Sequence, residues 1–131
     1  MAQLTQIVEE IFANFGRGNV VGIVDTFADN IRFVHPGGPD IPYAKDRRGK
    51  QQAAAFFADL VDCVEVTRFE PLTYVEQGNK VVALGRWAGR ARRTGRPFEA
   101  DWAMCWTFEG GKVVDYQEFD DTRAVANAMA A

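Results

Sequence analysis

The chain is poor in the residues that mark many catalytic and metal centres. It has one histidine, His35, in 131 residues. Its two cysteines, Cys63 and Cys105, are too few for a disulfide framework and lack metal-ligand spacing. Both read as reduced thiols of a cytoplasmic protein. With one imidazole and no paired cysteines, neither a zinc site nor any other metal or cofactor is expected. There is no glycine-rich phosphate loop and no Ser-His-Asp or Cys-His signature. Basic residues are not in excess either. Fifteen Lys and Arg against eighteen Asp and Glu give a net charge of -3, which argues against a nucleic-acid partner. No apolar run approaches the ~20 residues needed to span a bilayer, so no membrane partner is expected. The opening MAQLTQIVEE has no basic n-region and does not read as a signal peptide.

What is present is an ordinary globular composition, 47% hydrophobic and 25% charged. The expectation is one domain over residues 1–131, long enough for a core of its own. Leu4, Ile7, Val8, Ile11, Phe12 and Phe15 recur at helical spacing, and Gly16 and Gly18 end that stripe. Asn19 can cap a second helix whose buried face is Val20, Ile23, Val24 and Phe27. Ile31 to Val34 reads as a short strand. The stretch from His35 to Arg48 carries three prolines and two glycines and is predicted to be irregular. Tyr43, within it, reads as a surface tyrosine or as a lid over a ligand. A third helix is predicted around Lys50 to Asp62, with Phe56, Phe57, Leu60 and Val61 inward.

From Cys63 the pattern turns to strands: Val64 to Val75, Lys80 to Arg93, Pro97 to Phe108 and Lys112 to Phe119. Turns at Gln77-Gly78-Asn79, Thr94-Gly95-Arg96 and Gly110-Gly111 separate them, and Thr122 to Met129 reads as a terminal helix. Pro71 suits an edge or a bulge. A straight strand of fourteen residues would span about 46 Å. A domain of this size is only about 36 Å across. The sheet must therefore coil, with Gly85 and Gly89 as bend points. A coiled sheet with helices in its concave side leaves a cavity at the wide end.

The order of elements resembles the nuclear-transport-factor-like superfamily, with its cystatin-like fold. The segments FGRGNVVGIVDTFADNIRFVHPGG and FEADWAMCWTFEGGKVVDYQEFDDT carry the resemblance, which extends over nearly the whole chain. The superfamily includes ketosteroid isomerases, limonene epoxide hydrolases and SnoaL-like polyketide cyclases, and this chain is most similar to the SnoaL-like group. The resemblance implies an α+β cone: three N-terminal helices packed in a strongly curved, mainly antiparallel sheet. It also implies a pocket between helices and sheet, and a homodimer through the sheet. The chemistry it implies is proton transfer beside a carbonyl, aldol-type cyclisation, or water attack on an epoxide. Such motifs mark a fold better than a reaction.

The same resemblance places His35 where the isomerases carry their aspartate base, and histidine suits that role near neutral pH. The alternative is a rim histidine bonded to backbone or water. Glu118 matches the pocket carboxylate of the cyclases and epoxide hydrolases. Along its strand Tyr116, Glu118 and Asp120 share a face. The alternative is a solvated carboxylate, and periodicity leaves this open because Val113 and Phe119 on the other face are also apolar. Trp102, Met104, Trp106 and Phe108 form the clearest apolar stripe, read as core that also lines a ligand site. Phe33, Trp87, Tyr116 and Asp120 are further ligand-binding candidates. The isomerase's oxyanion acid corresponds to Met104, and its helix tyrosine falls near Ile11 or Phe12. Steroid isomerisation is therefore not expected. The epoxide hydrolase's Arg-x-Asp pair falls near Val81 and Ala83, which leaves only Glu118 for that chemistry. The cluster from Arg86 to Arg96 reads as a solvated strand end, with an anionic substrate group as the alternative.

Three functions follow as expectations. The first is an isomerase, cyclase or lyase moving protons on a small apolar carbonyl compound. The second is a non-catalytic small-molecule binding protein. The third is an interaction module that docks a partner on the outer sheet face.

Overall fold

The structure, a computed structural model, describes residues 3–130. Helix α1 (Gln3–Gly16) turns its Val8, Ile11 and Phe12 stripe inward. The short helix α2 (Val20–Val24) is capped by Asn19, whose side chain accepts from Gly22 N at 3.0 Å. Helix α2 ends before Phe27, which was expected on its buried face. Phe27 instead opens strand β1 (Phe27–Val34) and is buried there. A brief strand β2 (Asp46–Arg48), helix α3 (Gly49–Cys63) and strands β3 (Val64–Gln77), β4 (Lys80–Ala91), β5 (Pro97–Glu109) and β6 (Lys112–Asp120) follow, before helix α4 (Thr122–Met129).

The six strands form one sheet in the order β2-β1-β6-β5-β4-β3. All neighbours are antiparallel except β1 and β6, which run parallel. The mainly antiparallel α+β cone is therefore as expected. Its curvature has a local cause. Strand β3 carries two bulges, between Val66 and Arg68 and between Pro71 and Thr73, and the residues opposite them are Gly89 and Gly85. Bulges increase local twist and bend a strand. Gly85 is needed for a second reason. A Cβ there would lie 2.3 Å from both the Glu70 carbonyl oxygen and the Trp102 ring.

Two further expectations are corrected. The stretch from His35 to Arg48 is not wholly irregular, because Asp46–Arg48 pairs antiparallel with Arg32–Val34. Val61 is 55% exposed rather than inward. The inward arc of α3 closes with Phe56 and Leu60, and Val61 lies past its edge, its carbonyl accepting from Arg92 Nε at 2.6 Å. Strand β4 also ends two residues early, where Ala91 N donates to Arg96 O at 2.9 Å and closes the hairpin. No helix among the described residues is long and apolar enough to cross a membrane.

Tyr43 departs most from expectation. It is fully buried, and so is nearby Ile41. The segment folds inward because Arg47, itself buried, gathers it: Nη2 donates to the Tyr43 carbonyl at 3.3 Å and to Asp59 Oδ2 at 2.8 Å. Tyr43 is thus core, neither a surface tyrosine nor a lid.

Candidate functional site

Parallel pairing of β1 with β6 sets Phe33 beside Tyr116 and Val34 beside Gln117. One step further along, His35 arrives at Glu118. The His35 Nε2 atom lies 3.2 Å from Glu118 Oε2, and both side chains are about 95% buried. The other ring nitrogen, Nδ1, lies 3.1 Å from the Pro36 carbonyl oxygen. A carbonyl can only accept, so Nδ1 carries a hydrogen and Nε2 faces the carboxylate. A second proton on the ring would therefore sit on Nε2, facing Glu118 Oε2. The Tyr116 hydroxyl donates to the other carboxylate oxygen, Glu118 Oε1. Behind the pair, Trp87 Nε1 donates to Asp120 Oδ1 at 3.3 Å.

Electrostatics follow from this crowding. Burial pulls the His35 pKa down, but the charge and hydrogen bond of Glu118, with Asp120 and Pro36, outweigh it and raise it above 6.5. Burial and the charge of Glu118 push Asp120 up to about 7, against the opposing pull of His35, Trp87 and the Asp121 N–H. Burial, then Glu118, also raises Tyr116 well above its ordinary value. Perturbed groups packed in one cleft are a mark of functional sites.

His35 and Glu118 open onto a cavity of about 60 Å³ under the helices. That is several times the ~10–15 Å³ needed by one water. Its wall is otherwise nearly all apolar. The expected residues Phe33, Trp87, Trp102, Met104, Trp106 and Tyr116 all line it. Asp120 is placed beside it through Trp87, and Phe108 is buried but does not line it. Pairing explains the convergence: Trp102 opposes Asp120, Met104 opposes Glu118, and Trp106 opposes Tyr116. The ring of Phe33 then stacks on Tyr116 at 4.2 Å.

Sequence reasoning missed the helical half of the wall. Phe12, Phe15, Phe56 and Phe57 line the cavity as well. Their inward stripes were legible, but which inward residues stop short of the sheet is decided by packing. It also missed the buried Tyr43 ring, 5.1 Å from the His35 ring. The spacing along the chain showed no ligand cluster, yet the fold gathers His35, Glu118 and Asp120 with donor atoms within 4.8 Å of one another. First-row ions bind such donors at about 2.0–2.2 Å, so the three groups would have to close in to hold one.

None of the arginines from Arg86 to Arg96 lines this cavity. Arg86 lies 3.6 Å from Asp101 and Arg90 3.9 Å from Glu65, each across a strand pair. Arg92 and Arg96 donate to backbone carbonyls of Val61 and Asn127. These four are engaged locally and about half-exposed pairs of this kind are screened.

Comparison with known proteins agrees with this architecture. Residues 8–116 match the SnoaL-like domain, and the chain belongs to that family. An NTF2-like protein from Burkholderia xenovorans LB400 is 36% identical, with a TM-score of 0.86 over 96% of this chain and 95% of that one. An NTF2-like protein of unknown function from Burkholderia pseudomallei K96243 is 26% identical, with a TM-score of 0.89 and full coverage of both chains. The structure of TerC co-crystallized with polyporic acid shares the fold at 22% identity, with a TM-score of 0.86 over 97% of this chain and 98% of that one. No curated protein matches the sequence.

Proposed function

We propose that the protein binds a small, mostly apolar carbonyl compound in its cavity and moves a proton on the carbon beside that carbonyl. The observation that carries this reading is the His35–Glu118 contact of 3.2 Å inside an otherwise apolar wall. In its base form the pair is a neutral imidazole beside an ionised carboxylate. It takes the substrate proton, leaving an enolate, and returns the proton to the same carbon or to another. Return to the same carbon is exchange; return to another is isomerisation. His35 and Glu118 are the acid/base groups, and the aromatic wall holds the apolar part of the compound. TerC, which has the same fold, was co-crystallized with polyporic acid, in keeping with a small-molecule pocket.

One observation favours a second reading, a binding protein without chemistry. Both Glu118 oxygens already have partners, Tyr116 and His35. Positions that correspond to the isomerase's oxyanion donors are Met104 and the region of Ile11 and Phe12, none of which donates a hydrogen bond.

Solvent exchange separates the two. Acetophenone incubated with the protein in D2O should take deuterium into its methyl group. His35→Ala and Glu118→Gln should lower that rate by roughly 10²-fold or more, the usual weight of a general base. Binding without exchange would leave the second reading.

For assembly we propose a homodimer through the outer sheet face. Leu72, Leu84 and Phe119 are exposed there at 64%, 41% and 57%. Leu84, Ala103 and Phe119 form one cross-strand row.

A further inference from the structure

All but three of the residues lining the cavity are buried. The three are Phe15 on α1, Phe57 on α3 and Phe69 on β3, each part-exposed and each packed against the core. Phe15 joins the other two. Its ring meets Phe69 edge-on at 5.1 Å and lies 6.4 Å from Phe57. Single exposed apolar rings are ordinary on a protein surface. Three that form one row, come from three elements, and reach both solvent and the same cavity make a closed mouth.

From this mouth, rings continue inward to the acid/base pair by two ways. Phe57 lies 6.3 Å from Phe33, which stacks on Tyr116, the donor to Glu118. Phe57 also lies 5.2 Å from Phe56, which stacks on the His35 ring at 5.2 Å. The other cover of His35, the loop after β1, is shut, because its Ile41 and Tyr43 are both buried. Phe15 is the member of the row best placed to move. It lies in the last turn of α1, directly before Gly16, and helix ends fray. Its neighbours are held more firmly. Phe69 stacks flat on Trp102 at 5.1 Å with 8° between planes, and Phe57 is packed on Phe33 and Phe56.

We propose that Phe15 gates the cavity, and that Phe15, Phe57 and Phe69 together select what enters it. The compound admitted is uncharged and flat enough to pass between rings when the Phe15 side chain turns outward. None of the three side chains carries a polar atom. An ion passing between them would lose hydration without gaining a partner, so an acid would have to enter protonated. This inference rests on the cavity being a ligand site, as read above, and not on any reaction inside it.

The test uses the full chain and diethyl pyrocarbonate, a small uncharged reagent. A neutral imidazole nitrogen attacks its carbonyl carbon, and ethyl carbonate leaves as ethanol and carbon dioxide. The chain has one histidine, so the ultraviolet signal of the product reports His35 alone. His35 is buried, so the reagent must pass inward to reach it. Rates are measured with and without dilute urea, because reaction through global unfolding steepens with urea and reaction through the mouth does not. Phe15→Ala should react roughly fivefold faster or more, since each aromatic pair lost is worth about two- to tenfold. Phe15→Trp should react more slowly than the wild type. A ring with only a packing role would give faster reaction in both variants, because both disturb packing. That result, or equal rates in all three proteins, would overturn the proposal. Phe57→Ala and Phe57→Trp repeat the comparison if a Phe15 variant fails to fold. Ile41→Ala, on the loop side, should leave the rate unchanged, and acceleration there alone would place the entrance at the loop instead. A Phe15 series that behaves as expected without deuterium exchange would remove the reaction and keep the gate. Exchange with rates indifferent to Phe15 would do the reverse.

Discussion

Phe108 pairs with Val113 across the β5–β6 ladder, out of step with the Thr107–Asp115 pair beside it. Val114 is the extra residue, and the bulge it makes lets Val113 and Tyr116 both face inward at an odd spacing. Beyond the bulge strict alternation resumes, so Glu118 is buried and Phe119 points out. Phe119→Glu should therefore leave the protomer folded, changing its intrinsic stability by no more than about 0.5 kcal/mol. If the outer face joins two copies, light scattering should give half the wild-type mass for this variant at equal concentration. A variant that keeps the wild-type mass would remove the proposed interface.

Much of this architecture was legible in the sequence. The inward stripe of α1, the Asn19 cap, the four long strands and α4 follow from period and turn residues. The bulge at Val114 was not legible, and that is why alternation alone could not say which way Glu118 points. Tyr43 was misread for a related reason. Proline and glycine mark a loop, but they do not show that a buried arginine, Arg47, pulls that loop into the core. His35 and Glu118 were each visible as candidates. Their contact depends on the parallel β1–β6 pairing, a long-range relationship that no local pattern carries.

Gly85 should not tolerate a side chain. Gly85→Ala places a methyl group against the Glu70 carbonyl and the Trp102 ring, and backbone cannot easily yield. A loss of about 1–3 kcal/mol in urea denaturation is expected, the usual range for overpacking. The Trp102 fluorescence should change with it. A neutral substitution would mean that the sheet bends less closely over Trp102 than described.

Asp120 makes stability depend on pH. Its folded pKa of about 7 lies above the ordinary 3.8, because burial and the charge of Glu118 favour the protonated form. The folded state thus binds this proton more tightly than the unfolded chain. The associated stability is present at low pH and is lost as pH rises from about 4 to about 7. His35, raised above 6.5, acts in the same direction at higher pH. Asp120→Asn has no proton to lose. Compared with the variant, the wild type should lose up to about 2.5 kcal/mol between pH 5 and pH 8 in denaturant titrations. Parallel curves for the two proteins would show that Asp120 is not held in this way.

The central claim is that His35 and Glu118 form one proton-sharing unit. The chain's single histidine gives a single imidazole to follow by NMR as pH is varied. The wild-type ring should titrate above 6.5, with Nδ1 retaining its hydrogen in the neutral form. In Glu118→Gln the same ring should titrate lower, because burial then acts with less opposition. A wild-type titration at 6.5, unmoved by Glu118→Gln, would contradict the claim.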